Sequence, residues 1–91
     1  MKRIIISYAC NSEENRNAFY DALIENSVGV KSRNEKGCLG YSYYFPADDK
    51  TSLLLIEQWE SDEALERHKA EPHFLFLQEL KEKFNITTNS I

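Results

Sequence analysis

The run Leu53-Leu54-Leu55-Ile56 limits how this chain can fold more than any other stretch of it. It lies within Thr51 to Trp59, after the turn-rich Pro46 to Lys50 and before Ser61, a good helix cap, so it reads as a strand. Successive strand side chains point to opposite faces, so an unbroken apolar run needs cover on both sides of its sheet. A chain of 91 residues has helices enough for one side only. The simplest cover for the other is a second copy of the same sheet. Size points the same way, since a domain this small hides only about 60 to 65% of its unfolded surface and gains from self-association.

The remaining segments supply a sheet and helices. Residues 2 to 9 alternate Ile4, Ile6 and Tyr8 against Ile5 and Ser7, a first strand. Ser12 caps a helix with Glu13 and Glu14 in its positive first turn. Phe19, Ala22, Leu23 and Asn26 line one face of that helix and Val30 continues it, so it is expected to run from about 12 to 34 and stop at Gly37, with Gly29 as a weak point. Cys38 to Phe45 is a second strand, with Leu39, Tyr41, Tyr43 and Phe45 on one face. Ser61 opens a helix, and Glu71-Pro72 breaks the chain before another that carries Phe74, Leu77, Leu80, Lys81 and Phe84, its apolar surface widened by Leu75 and Phe76. Asn85 to Ile91 is a last strand, placed on its own sheet or exchanged with a partner. The order βαββααβ makes residues 1–91 a single α+β domain with a ferredoxin-like antiparallel sheet.

Charge and cysteine usage narrow the partners. Eleven basic against 15 acidic residues give a net charge of −4, and the basic ones are scattered, which argues against nucleic acid and anionic membranes. Cys10 and Cys38 are too few for a disulfide framework. No apolar stretch reaches the roughly 18 residues of a membrane span. Met1 to Ile6 leads into polar Ser7 rather than a long apolar core and cleavage site, so the expected location is cytoplasmic.

Chemistry, if present, belongs to Glu57 to Phe74, where both histidines lie near aromatic residues. Ala64, Leu65 and His68 share one helical face, so His68 points toward the protein body, an unusual place for an imidazole. Trp59, at the end of its strand, and Phe74 read as core or, if a cavity exists, as its walls. His73, at a helix start, reads as structural or as a residue of the cavity mouth. A metal held by His68 and His73 is disfavoured by Pro72 between them and by the lack of i, i+4 spacing. No dinucleotide loop, nucleophile triad or paired-carboxylate pattern stands out. Asp48-Asp49 is a solvated turn.

Glu35-Lys36-Gly37-Cys38-Leu39-Gly40-Tyr41, Trp59 closing the next strand, and His68 followed five positions later by His73 together resemble the antibiotic biosynthesis monooxygenase family, particularly its small quinol-monooxygenase-like members. The resemblance implies a dimeric α+β barrel. It also implies a cofactor-independent monooxygenase of a quinol-like or polyphenolic aromatic, in which the substrate itself gives electrons to O2. His68 is then the base, Tyr41 or Tyr43 the hydrogen-bond donor to a developing oxyanion, and Trp59, His73 and Phe74 the substrate contacts, with no metal. Haem-degrading relatives ligate iron through a histidine of the last helix, where Gln78 stands here. A non-catalytic dimeric ligand-binding protein and an isomerase of a small phosphorylated dicarbonyl are the alternatives, the latter disfavoured because only Arg67 and Lys69 lie near enough to hold a phosphate.

Overall fold

The computed structural model describes residues 1–91. Its elements are β1 (Lys2–Ala9), α1 (Glu13–Glu25), α2 (Val28–Arg33), β2 (Cys38–Tyr44), β3 (Ser52–Trp59), α3 (Asp62–His68), α4 (Pro72–Lys83) and β4 (Thr87–Ser90). The strands form one antiparallel sheet in the order β2-β3-β1-β4, the ferredoxin-like arrangement. β4 pairs with β1 of its own chain, Ala9 opposite Thr87 and Ile6 opposite Ser90. No helix is long and apolar enough to cross a membrane.

The sheet's two faces differ in cover. Leu53, Leu55, Glu57 and Trp59 of β3 point to the helical side and are buried. There they join one core with Tyr8, Phe19, Leu23, Tyr41, Leu65, Leu77 and Leu80. Leu54, Ile56 and Gln58 take the opposite phase and are half-buried. Cross-strand pairing sets Ile56 between Ile5 and Ser42, and Leu54 between Ser7 and Tyr44, so this second face is a mixed apolar surface that no helix of the chain covers.

Local chemistry explains the helix ends. Ser12 Oγ accepts the Asn15 N–H at 3.0 Å and Ser61 Oγ accepts that of Ala64 at 3.2 Å, each satisfying a donor that the helix leaves unpaired. Pro72 takes the first position of α4, where its missing N–H costs nothing.

Two expectations need correction. The single helix from 12 to 34 is two, because Ser27 adopts a left-handed conformation (φ 55°) and the Asn26 side chain caps α1 by donating to the Ala22 carbonyl at 2.7 Å. The break resets the helical phase, so Val30 is 51% exposed instead of extending the Phe19 face. Gly29 is not the bend. It lets α2 approach β2, where an added Cβ would lie 3.2 Å from the Tyr43 ring. In β2, an irregularity between Cys38 and Gly40 inserts Leu39 as an extra residue, turning it outward at 56% exposure. Tyr41 and Tyr43 keep the inward phase, whereas Phe45 lies beyond the strand and is half exposed.

The turn into β2 joins the sheet to α3. Gly37 has φ 88°, its carbonyl accepts the Glu60 N–H at 2.8 Å, and an added Cβ would meet the Ala64 Cβ at 2.6 Å. Gly37→Ala therefore combines left-handed strain with a backbone-level clash and should lower stability by about 2–4 kcal/mol. Urea unfolding checks this; a loss below about 0.5 kcal/mol, the usual size for a neutral surface change, would show that the turn relaxes freely.

Candidate functional site

Glu35, in the turn after α2, has a side chain only 10% exposed and no Lys or Arg partner. Two imidazoles compensate it. His68 Nδ1, at the end of α3, lies 2.5 Å from Glu35 Oε2, and His73 Nε2, in the first turn of α4, lies 2.7 Å from the same oxygen. A buried carboxylate accepts and does not donate, so both contacts require an N–H on the histidine. For His68 this places the proton on Nδ1. In the neutral tautomer with that proton, Nε2 carries a lone pair, the arrangement in which an acidic group orients a base.

The Nε2 side of His68 looks toward a second carboxylate. Glu57 Oε1 is 4.0 Å from Nε2 and accepts the Trp59 indole N–H at 3.0 Å. Burial pushes the Glu57 carboxyl above its ordinary range, against the opposing pull of the Trp59 hydrogen bond and of His68. The His68 ring is held by aromatic neighbours: Trp59 lies beneath it with centroids 4.6 Å apart, Phe74 meets it edge-on at 5.1 Å, and Tyr41 at 5.8 Å. Arg33 fixes the backbone here by donating to the Tyr41 carbonyl at 2.7 Å.

His68 and Glu57 border a cavity of about 270 Å³ between sheet and helices, shared with Ile4, Ile6, Tyr8, Tyr41, Phe74, Leu77, Gln78 and Lys81. A 150 Å³ apolar cavity is enough for benzene, so one substituted ring fits. Burial raises the Tyr41 phenol well beyond the usual phenol range, so it stays neutral and able to donate.

The structure sorts the sequence candidates. His68, Tyr41 and Phe74 meet at this cavity. Trp59 is wholly buried and backs His68 instead of lining the space. Tyr43 lines a different hollow, with Tyr20, Ser27 and Arg33, and its hydroxyl is buried. His73 sits behind His68 on a shallow groove with Pro72, Phe76 and Glu79. Two carboxylates, Glu35 and Glu57, flank His68, 22 positions apart in sequence and so with no local pattern to mark them as a pair. Glu57 did leave a signal, as a carboxylate in the inward phase of Leu53, Leu55 and Trp59.

The donors of Glu35, His68 and His73 all lie within 4.8 Å of one another, so the trio has the composition of a metal set. Two ligands of one tetrahedral zinc at about 2.1 Å are separated by about 3.4 Å, wider than the 2.5 and 2.7 Å found here. Hydrogen bonding accounts for the spacing. An ion would also lie on the Nδ1 side of His68, away from Glu57.

Comparison with known proteins agrees with this architecture. Residues 4–80 match the profile of the antibiotic biosynthesis monooxygenases. The chain belongs to the antibiotic biosynthesis monooxygenase family. A conserved protein of unknown function from Bacteroides thetaiotaomicron superposes with a TM-score of 0.85 at 21% identity, covering 98% of this chain and 90% of that one. A Nitrosomonas europaea protein provisionally assigned to the same monooxygenases gives 0.81 at 22% identity, covering 99% and 94%. At these identities the likeness is one of fold. Uncharacterized protein sll1783 of Synechocystis is 40% identical over 43 residues, which is 47% of this chain; the match spans only 29% of that relative.

The buried Glu57 gives a pH test. Its carboxyl holds its proton to higher pH in the folded protein than at the ordinary value of 4.5, so above 4.5 folding takes up a proton and stability falls as pH rises through the folded value. Glu57→Gln keeps an acceptor for Trp59 and removes that loss. Urea midpoints should show the variant gaining on the parent between pH 4.5 and neutrality; parallel curves would mean that Glu57 ionises as freely when folded.

Proposed function

We propose that this member of the antibiotic biosynthesis monooxygenase family is an O2-dependent monooxygenase of quinol-like aromatics, acting as a homodimer without a bound cofactor. The observation that carries the reading is the 2.5 Å contact of His68 Nδ1 with Glu35, which leaves Nε2 as a base beside an aromatic-sized cavity. A substrate hydroxyl fits between His68 Nε2 and Glu57 Oε1, whose 4.0 Å separation is too long for a direct hydrogen bond but suits a bridging oxygen.

In the proposed reaction, His68 takes the hydroxyl proton and the ring becomes electron-rich enough to reduce O2. One oxygen atom forms a bond to a ring carbon, the other leaves as water, and a quinol is converted to a hydroxyquinone, with all electrons coming from the ring. The neutral Tyr41 phenol donates to the developing oxyanion, and Phe74 with the aliphatic wall keeps water out. Raising Glu57 toward its neutral form limits repulsion of the anionic ring.

The homodimer rests on the uncovered sheet face of Ile5, Leu54, Ile56 and Tyr44, a surface whose apolar residues call for cover. A single-chain species in sedimentation at micromolar concentration would contradict it. A cytoplasmic location is supported by the two unpaired thiols, both pushed up by burial.

Oxygen-electrode assays over a hydroquinone panel test the chemistry. Turnover should fall about a hundredfold or more in His68→Gln, as for loss of a general base. Glu35→Gln should lower turnover less and shift its pH profile, because the amide oxygen still accepts the Nδ1 proton but no longer supplies the negative charge that polarises the imidazole. Folded protein that consumes no oxygen across the panel, or a His68→Gln variant of parental activity, would overturn the reading.

A further inference from the structure

One charged group at the cavity has no role in the reaction just described. Lys81 projects from α4 into the wall opposite the sheet, and its Nζ donates to Gln78 Oε1 at 3.1 Å and stands 5.7 Å from the Tyr8 ring centroid. Neither neighbour is an anion, and no carboxylate lies within ion-pair distance of it. Lys69, the other ammonium at this cavity, is exposed and already pairs with Glu66 at 3.4 Å. Partial desolvation depresses the Lys81 ammonium. An ammonium taken partly out of water without a counter-ion is costly, and a bound anion removes that cost.

We propose that Lys81, steadied by Gln78, recognises a carboxylate on the aromatic substrate, so that the preferred ligands are aromatic hydroxy acids in which the acid meets α4 and a ring hydroxyl meets His68. The proposal rests on the reading of this cavity as a substrate site. Its lining offers different groups to different parts of the ligand: His68 takes the hydroxyl's proton, Glu57 in its protonated form donates to the hydroxyl oxygen, Tyr8, Leu77 and Phe74 contact the ring, and Lys81 brings an ammonium with no carboxylate partner. The stem of Lys81 packs along α4, so the ammonium reaches the cavity as a point charge on an apolar arm.

Isothermal titration with hydroquinone, 2,5-dihydroxybenzoate and the methyl ester of that acid tests this on the intact protein. The free acid should bind about tenfold to a hundredfold tighter than the other two, the range of one charge-assisted hydrogen bond. Lys81→Met should remove the preference and Lys81→Arg should keep most of it. Equal affinity of acid and ester in the parent protein overturns the proposal without any variant, as does a preference that survives Lys81→Met. Oxygen uptake in the same samples separates the two ideas. Selective binding of the acid with no oxygen consumed leaves the recognition site and removes the oxygenase; turnover of hydroquinone with no preference for the acid does the reverse.

Discussion

A carboxylate taken out of water has to be met by donors, and Glu35 meets two imidazoles instead of a lysine or arginine. That one contact fixes more of the site than any other. It calls for an N–H on both histidines, and in neutral His68 that places the lone pair on Nε2, the nitrogen nearer Glu57. It also ties three separate pieces of chain, the turn before β2, the end of α3 and the start of α4, into a single support. Gly37 is part of the same device, because its left-handed turn lets the Glu35 segment lie against Ala64 of α3.

The cavity combines apolar walls with titratable groups that burial shifts toward neutrality. Burial raises Glu57 and Tyr41 and lowers Lys81, each in the direction that favours the neutral form. The lining therefore divides into His68 and Glu57 beside one another, Lys81 from α4, and the apolar surfaces of Tyr8, Phe74 and Leu77. Such a division suits a flat aromatic with polar groups at both ends. The family's fold supplies the frame for it, and the chemistry belongs to these particular side chains.

Much of the fold was legible because its signals are local. Ser12, Ser61 and Pro72 mark helix starts by their own hydrogen-bonding capacity, and the alternation in β1 and β3 reports which face meets the core. What escaped the sequence depends on geometry that local pattern does not encode. The left-handed turn that divides the first helix falls at Ser27, two residues before the Gly29 that marked a weak point, and the extra residue at Leu39 breaks an alternation that looked continuous through Phe45. At the site, the inward face of α3 placed His68 correctly beside Trp59, but its partners come from residues 33 positions upstream and 11 positions upstream, Glu35 and Glu57. Period-two reading separated neither tyrosine from the other, yet only Tyr41 borders the His68 cavity, because Tyr43 two residues further along lies against α2.

The tautomer of His68 is the point on which the chemistry turns, and nitrogen-15 NMR of imidazole-labelled protein reads it directly. At neutral pH the account predicts a protonated Nδ1, with its proton shifted strongly downfield by the Glu35 contact, and an unprotonated Nε2 that responds when an aromatic hydroxy ligand enters. Glu35→Gln should weaken the downfield signal. A proton resident on Nε2, with Nδ1 bare, would mean that Glu35 does not hold His68 as a base, and the assigned mechanism would fail.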